Sequence, residues 1–450
     1  MNGPRITMVG AGGMSFGPTM VSDVVHTRAL RGARMLLHDL DPVRLERAWR
    51  FAVRCNEAAG SPVVIERTTD PAAAFDGADF VIASAEFDRF RHWHEDYAVP
   101  LRHGARHAMG ENGGPGAVFH SLRSITNTLS ICADVARHSP DAFFVNLTNP
   151  MSRVSLAIDR ATDLRFVGMC HEMPMGLKRL CRRLRWKRSE ITASAAGINH
   201  FTFFTEIRNT RTGEDLLPKV REFYQRRFFD YPLRSQRVWR ALDRNVVGGF
   251  FVEFNYMPLV VHMVREYGLV PCSVDSHIGE YLPFPRDVAG FVPAPIEFHE
   301  PVMRHLERVA GWAATTRLPV PLHRMGRSDE EVMPIIAALW TGEPYRAMAV
   351  NVPNRGYLPD VAEGAIVEVG ATVDAEGIHP ESMAPLGEPL AGWIDTQVRL
   401  QDMVVEAALT GDADLAFRAL CEDPLSPDDE DACRRIFEEL RALQSDKLPF

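Results

Sequence analysis

Short apolar runs alternate with amphipathic stretches along the early part of the chain. Ile6–Val9, Arg34–His38, Val63–Glu66, Asp79–Ser84, Ala142–Leu147 and Leu164–Gly168 have the length and apolar character of strands buried in a sheet. Pro42–Ala59 and Ser121–Ala136 place apolar residues at helical spacing, in the first at Leu45, Trp49, Phe51, Ala52 and Cys55, and Asp70–Phe75 fits a short capped helix. Strand and helix in alternation predict a doubly wound parallel sheet, an α/β fold of the Rossmann type.

The pattern then loosens. Asp215–Arg240 is aromatic and basic and reads as a helical excursion that caps a site or forms an oligomer contact. Glu300–Ala310 and Glu330–Leu339 read as helices, Ala347–Val352 and Ala365–Val369 as strands of a second sheet, and Pro385–Gly411 and Ala432–Leu443 as further helices. The tail Gln444–Phe450 is expected to fray. These signals divide the chain into a dinucleotide-binding domain, 1–195, and a mixed α/β domain for substrate and oligomer contacts, 196–450.

The charge of −9 offers no basic surface for nucleic acid, and the one basic run, Arg179–Arg188, reads as a solvated helix face. No apolar run is long enough to span a membrane and no leader pattern opens the chain, so the expectation is a cytoplasmic protein. Seven cysteines, an odd number, argue for reduced thiols over a disulfide framework.

Chemistry enters at the first turn. The run from Ile6 to Gly17, ITMVGAGGMSFG, puts Gly10, Gly12 and Gly13 directly after a strand, followed by Met14 and Ser15 and a segment able to form a helix. Glycines there allow a sharp turn and close approach of a pyrophosphate to free N–H groups at the helix start. Ser15 stands where the usual fingerprint has its third glycine. Asp39, at the end of the second strand, is placed for the adenosine ribose hydroxyls and favours NAD over NADP, whereas Asp41 before Pro42 suits a helix cap. Its long spacing from Gly10 is expected to be absorbed by a first helix extended through Thr27–Gly32.

Later strand ends carry the other candidates. Ala85–Gly116 reads as a long polar connection with His92, His94, His103 and His107, ending in MGENGGPG, where Glu111 and Asn112 are site candidates. Asn149 before Pro150 suits a contact to the nicotinamide ribose or a sugar hydroxyl, or simply an Asn-Pro turn. Cys170 and His200, at two further strand ends, are able to share a transition metal, or are a buried thiol and a satisfied histidine. Asn199 beside His200 is placed to bond a hydroxyl that such a metal holds.

Together GAGGMSFG, LHDLD, ENGGPG, NLTNPM, CHEMP, GINHF and DSHIGEY resemble glycoside hydrolase family 4, the NAD- and manganese-dependent glycosidases. The resemblance implies a fold like lactate and malate dehydrogenases and a homodimer or homotetramer. It implies Cys170 and His200 as ligands of Mn²⁺ or another divalent metal, with Asn149 on the substrate. It also implies redox elimination: C3 of the sugar is oxidised, C2 deprotonated, the C1 oxygen lost, and water added before the hydride returns. In that scheme His171 is the acid. The base is sought between Val246 and Tyr281, with Asp275 preferred, His277 and Tyr256 as rivals and Glu280 as a pocket contact. The CHE stretch matches the α-galacturonidase branch best, so an α-D-galacturonide or related α-hexuronide is the expected substrate. Its carboxylate would need an arginine, for which Arg102, Arg106 and Arg355 are candidates. A neutral α-glucosidase or α-galactosidase of the same family is the alternative. A sugar or 2-hydroxyacid dehydrogenase releasing NADH and a non-catalytic NAD sensor complete the set.

Overall fold

The computed structural model describes residues 3–13, 16–230, 257–289, 295–316 and 327–450. Met14, Ser15 and Tyr256 lie outside these residues, as does the later part of the Asp215–Arg240 excursion. The chain begins with β1 (Arg5–Val9), α1 (Gly17–His26), β2 (Arg34–His38), α2 (Pro42–Ala58), β3 (Val64–Thr68), α3 (Pro71–Phe75) and β4 (Phe80–Ala83). There follow α4 (Arg89–Arg102), α5 (Pro115–His138), β5 (Phe143–Asn146), α6 (Met151–Ala161) and β6 (Phe166–Gly168). These strands pair in parallel in the order β3-β2-β1-β4-β5-β6. The winding reverses between β1 and β4, which opens a crevice at the carboxyl ends of the strands. Both β4 and β5 are buried along their whole length, as strands covered by helices on both faces must be.

The described residues continue with α7 (Glu172–Leu184), β7 (Ile191–Ile198), β8 (Phe201–Asn209), α8 (Leu217–Tyr224), α9 (Pro258–Tyr267), α10 (Asp275–Ile278), α11 (Pro295–Thr315) and α12 (Val332–Thr341). They end with β9 (Tyr345–Pro353), β10 (Ile366–Asp374), β11 (Gly377–Pro380), α13 (Leu390–Thr410), α14 (Ala413–Glu422) and α15 (Glu430–Gln444). The later strands do not form the second sheet expected of them. They extend the first one, antiparallel, in the order β6-β9-β10-β7-β8, with β11 on β10. The joint is the pairing of Gly168 with Asn351. A Cβ on Gly168 would come within 2.7 Å of Met151 Sδ, 2.8 Å of Ser155 Oγ and 2.9 Å of Asn351 Cβ, so the missing side chain is what lets β9 and α6 close around β6. The boundary expected at 195/196 falls inside β7.

Other expectations change for local reasons. α1 stops at His26, and Arg28–Leu30 is a separate 3₁₀ turn. The connection 85–116 is not irregular throughout, because α4 occupies its middle. That helix buries His92, Trp93, Asp96 and Val99, a stripe at helical spacing whose polar members hid it. Asp96 is matched by Arg123 at 2.6 Å. Of the basic run, Arg179 turns inward and donates to the carbonyls of Cys272 and Ser273, both at 2.8 Å. The tail is tied down rather than frayed. Gln444 is fully buried and donates to Asp96 at 2.9 Å and Glu95 at 3.2 Å, and Phe450 stacks on Phe437.

Candidate active site

β1 delivers the chain into Gly10 at φ +76°, a left-handed conformation that favours glycine. A Cβ there would lie 2.0 Å from the Ser84 carbonyl oxygen, and one on Gly12 would lie 2.7 Å from Asp39 Oδ2. The loop is therefore a cradle that side chains would fill. Asp39 accepts the Gly12 N–H at 2.8 Å and the Asp41 N–H at 2.9 Å. Asp41 caps α2 through the N–H groups of Val43 and Arg44 at 2.8 and 3.1 Å. α1 starts with no side-chain cap and no acid in its first turn, which leaves its N–H groups and dipole for an anion. The cradle fits a dinucleotide.

Farther along the crevice, four segments converge. Glu280, just after α10, is fully buried; its carboxylate accepts the N–H of Glu111 at 2.7 Å and of Asn112 at 3.1 Å. The Asn112 amide reaches Glu280 and His200 Nδ1, each at 3.1 Å. His200 sits at φ +63° in the two-residue turn between β7 and β8, with its ring 4.2 Å from that of His277. His277 Nε2 is 3.8 Å from Glu172 Oε1. The structure thus brings Glu111, Asn112, Asn149, Cys170, His171, Asn199, His200, His277 and Glu280 to one place, with Asn149 Nδ2 3.4 Å from Glu111 Oε1.

The donors around Cys170 and His200 fit a divalent cation. Burial, then the carboxylates of Glu368 and Glu172, push the Cys170 thiol well above its ordinary range, and a cation on the sulfur would reverse that. Burial and His277 hold His200 down at about 3, neutral as a ligand must be. Asn112 Oδ1, Asn199 Oδ1 and His277 Nδ1 are buried without a partner, and such orphaned polar atoms at one site call for an ion, a water or a ligand. Glu368 fixes the turn that carries His200: it accepts from Asn199 at 3.1 Å, Thr202 at 2.5 Å and Asn351 at 3.0 Å. Among the described residues one set of three close metal-binding side chains occurs elsewhere, Asp374, Glu376 and His379 at the β10–β11 turn.

Asp275, the preferred candidate for the base, is held as an acceptor for the backbone. Its carboxylate accepts the N–H groups of Leu259 and Val260, both at 2.9 Å, and is fully buried at the start of α9. Burial raises it to about 7 against those two bonds. His171 pairs through Nδ1 with Glu330 at 2.7 Å. Burial alone would lower its pKa, but the bond and charge of Glu330 outweigh it and hold the imidazolium at about 9.

None of the three arginines considered for a carboxylate reaches this cluster. Arg102 pairs with Glu439, Arg106 with Asp287 at 2.6 Å, and Arg355 is exposed beyond β9. Among the described residues the arginine at the site is Arg89, at the first position of α4. It donates to Glu86 at 2.5 Å and Glu111 at 2.8 Å, while His120 meets Glu86 at 2.9 Å and the Glu111 carbonyl at 2.8 Å. Sequence reasoning missed Glu86, Arg89, His120, Glu330 and Glu368. For Glu86 and Arg89 a signal existed, since EFDR follows a strand whose carboxyl end opens on the crevice.

The model described as "Family 4 glycosyl hydrolase" matches residues 5–185, and that of the "Family 4 glycosyl hydrolase C-terminal domain" matches 195–426. An alpha-glucosidase of Erwinia rhapontici is 32% identical over 99% of this chain and 98% of its own. An alpha-galacturonidase of Bacillus subtilis (strain 168) is 27% identical over 97% and 96%. The crystal structure of a 6-phospho-alpha-glucosidase from gut microorganisms, in complex with NAD and Mn²⁺, superposes with a TM-score of 0.81 at 19% identity, covering 100% of this chain and 99% of that one.

Proposed function

The chain belongs to family 4 of the glycosyl hydrolases, and on that footing we propose that it hydrolyses a neutral α-hexoside, an α-glucoside first, with NAD⁺ and a divalent cation, Mn²⁺ first. One observation carries the choice of sugar: among the described residues the guanidinium at the site, Arg89, is already held by two carboxylates, Glu86 and Glu111. A uronide's carboxylate would compete with both for the same donor, in a pocket also bordered by the Glu172 carboxylate. The likeness to the alpha-glucosidase, at higher identity than to the alpha-galacturonidase, supports the same reading. The α-galacturonide expected from Cys170-His171-Glu172 is the competing reading that the assays below decide.

When bound, NAD⁺ supplies a hydride acceptor and the cation a Lewis acid for neighbouring sugar oxygens. The glycine loop, with Asp39, holds the dinucleotide, and Cys170 and His200 hold the cation. Asn112, Asn149 and Asn199 present amides to hydroxyls. His277 is the base in this reading: a proton on Nε2, facing Glu172, leaves the unpartnered Nδ1 to accept one. His171, charged and fixed through Nδ1 by Glu330, keeps Nε2–H to donate to the leaving oxygen.

Aryl α-glucoside, α-galactoside, α-galacturonide and α-glucuronide, each with NAD⁺ and Mn²⁺ present or singly omitted, test the reading. Release from a neutral α-hexoside that requires both additions, without net NADH, is expected. In D₂O the released sugar should carry deuterium at C2. Release without NAD⁺, or with no exchange at C2, would overturn the mechanism; preference for a uronide would overturn the substrate.

Asp39 gives a separate prediction. Asp39→Asn keeps an acceptor for the Gly12 N–H but loses the charge that opposes a 2′-phosphate. The ratio of NAD⁺ to NADP⁺ affinity should fall by about tenfold, on the order of 1.4 kcal/mol, read by calorimetric titration of each nucleotide.

A further inference from the structure

We propose that Glu86 sets the charge preference of the sugar pocket: as the second carboxylate on Arg89, it withholds that guanidinium from a substrate carboxylate. The inference rests on the neutral-hexoside reading above and names the residue that enforces it.

The two partners of Arg89 differ in what else they do. Glu111 also lies 3.4 Å from the Asn149 amide and is placed by Glu280 through its own N–H. Its removal would disturb substrate contacts as well as charge. Among the described residues Glu86 makes no direct bond to the hydroxyl-binding amides; its other partner is His120, at 2.9 Å, whose second ring nitrogen meets the Glu111 carbonyl at 2.8 Å. Arg89 itself is not sealed in. Its side chain keeps 29% of its exposure against 6% for Glu111, and its Nε–H has no partner. The guanidinium also lies 5.3 Å from the centre of the Trp93 ring, within cation–π range. A partly exposed guanidinium with a donor given to Glu86 becomes a partner for a substrate carboxylate once Glu86 carries no charge.

The Glu86→Gln variant keeps an oxygen for Arg89 but removes both the competing charge and its repulsion of an incoming carboxylate. With NAD⁺ and Mn²⁺ present, the ratio of kcat/KM for aryl α-glucuronide to that for aryl α-glucoside should rise at least tenfold over wild type. Binding of free glucuronate, followed by calorimetry, should tighten in parallel. The double variant Glu86→Gln, Arg89→Gln should lose the gain, which shows that the arginine supplies it.

An unchanged ratio in a folded Glu86→Gln protein would overturn the proposal, and so would a gain that survives loss of Arg89. Should the glutamine variant fail to fold, Glu86→Ser, which leaves room for water between Arg89 and His120, takes the same measurements with the same criteria. A wild-type enzyme that already prefers the glucuronide is a different result: there the substrate reading fails, before any variant is compared.

Discussion

Cys170→Ala should lower kcat/KM by about a thousandfold, the effect expected when a Lewis acid contributing several kcal/mol loses one of its two protein ligands. The thiol stands among buried carboxylates that disfavour its charged form, so its conversion to thiolate needs the cation as much as the cation needs the sulfur. Mn²⁺ titrations followed by electron paramagnetic resonance should show weakened binding. NAD⁺ affinity, read at a cradle built from Gly10, Gly12 and Asp39, should change little. Full activity in the alanine variant would remove Cys170 from the metal site. Loss of activity with Mn²⁺ binding intact would make it a substrate contact.

Asp275→Ala should act on stability first. Two buried N–H groups at the start of α9 lose their acceptor, a cost of about 2–4 kcal/mol, seen as a fall of several degrees in Tm. The pH dependence separates this from catalysis. The folded carboxyl is raised to about 7 from an ordinary 3.8, so the native state binds its proton more tightly than the unfolded chain. Wild-type stability therefore falls as pH rises from about 4 to about 7, and the alanine variant should have a flatter profile over that window. A variant with unchanged Tm and kcat lost would instead restore Asp275 as the base.

The parts of the fold legible in the sequence were those written in local pattern. Short apolar runs, the glycine turn after β1 and the paired caps Asp41 and Asp70 each depend on neighbours within a few residues. What escaped depends on contacts distant in sequence. Gly168 reads as the end of a strand, and only its pairing with Asn351 joins both halves into one sheet. α4 was obscured because Asp96 is an apolar-stripe position satisfied by Arg123, and Gln444 looked frayed because its partners lie more than 300 residues away. In the site, Cys170, His200 and Asn112 could be picked out by type and position. Asp275 could not be told from a catalytic base, since a cap for α9 and a base are the same residue until the helix is seen beside it. Glu368 was passed over as a strand residue, although its carboxylate organises the turn that bears His200.

The seam between the halves has a consequence for how this molecule tolerates exchange of parts. Gly168 and Asn351 form a single rung, two residues before Cys170, and Asn351 also bonds Glu368, which steadies the turn bearing His200. The sulfur and the imidazole thus come from opposite sides of the narrowest point in the sheet. A chimera joining the first half of one relative to the second half of another would inherit both proposed metal ligands intact, yet their separation would be reset by whichever residues meet across that rung. Modularity in this chain ends at Gly168: graftable pieces lie outside the seam, and whatever spans it must travel as one inheritance.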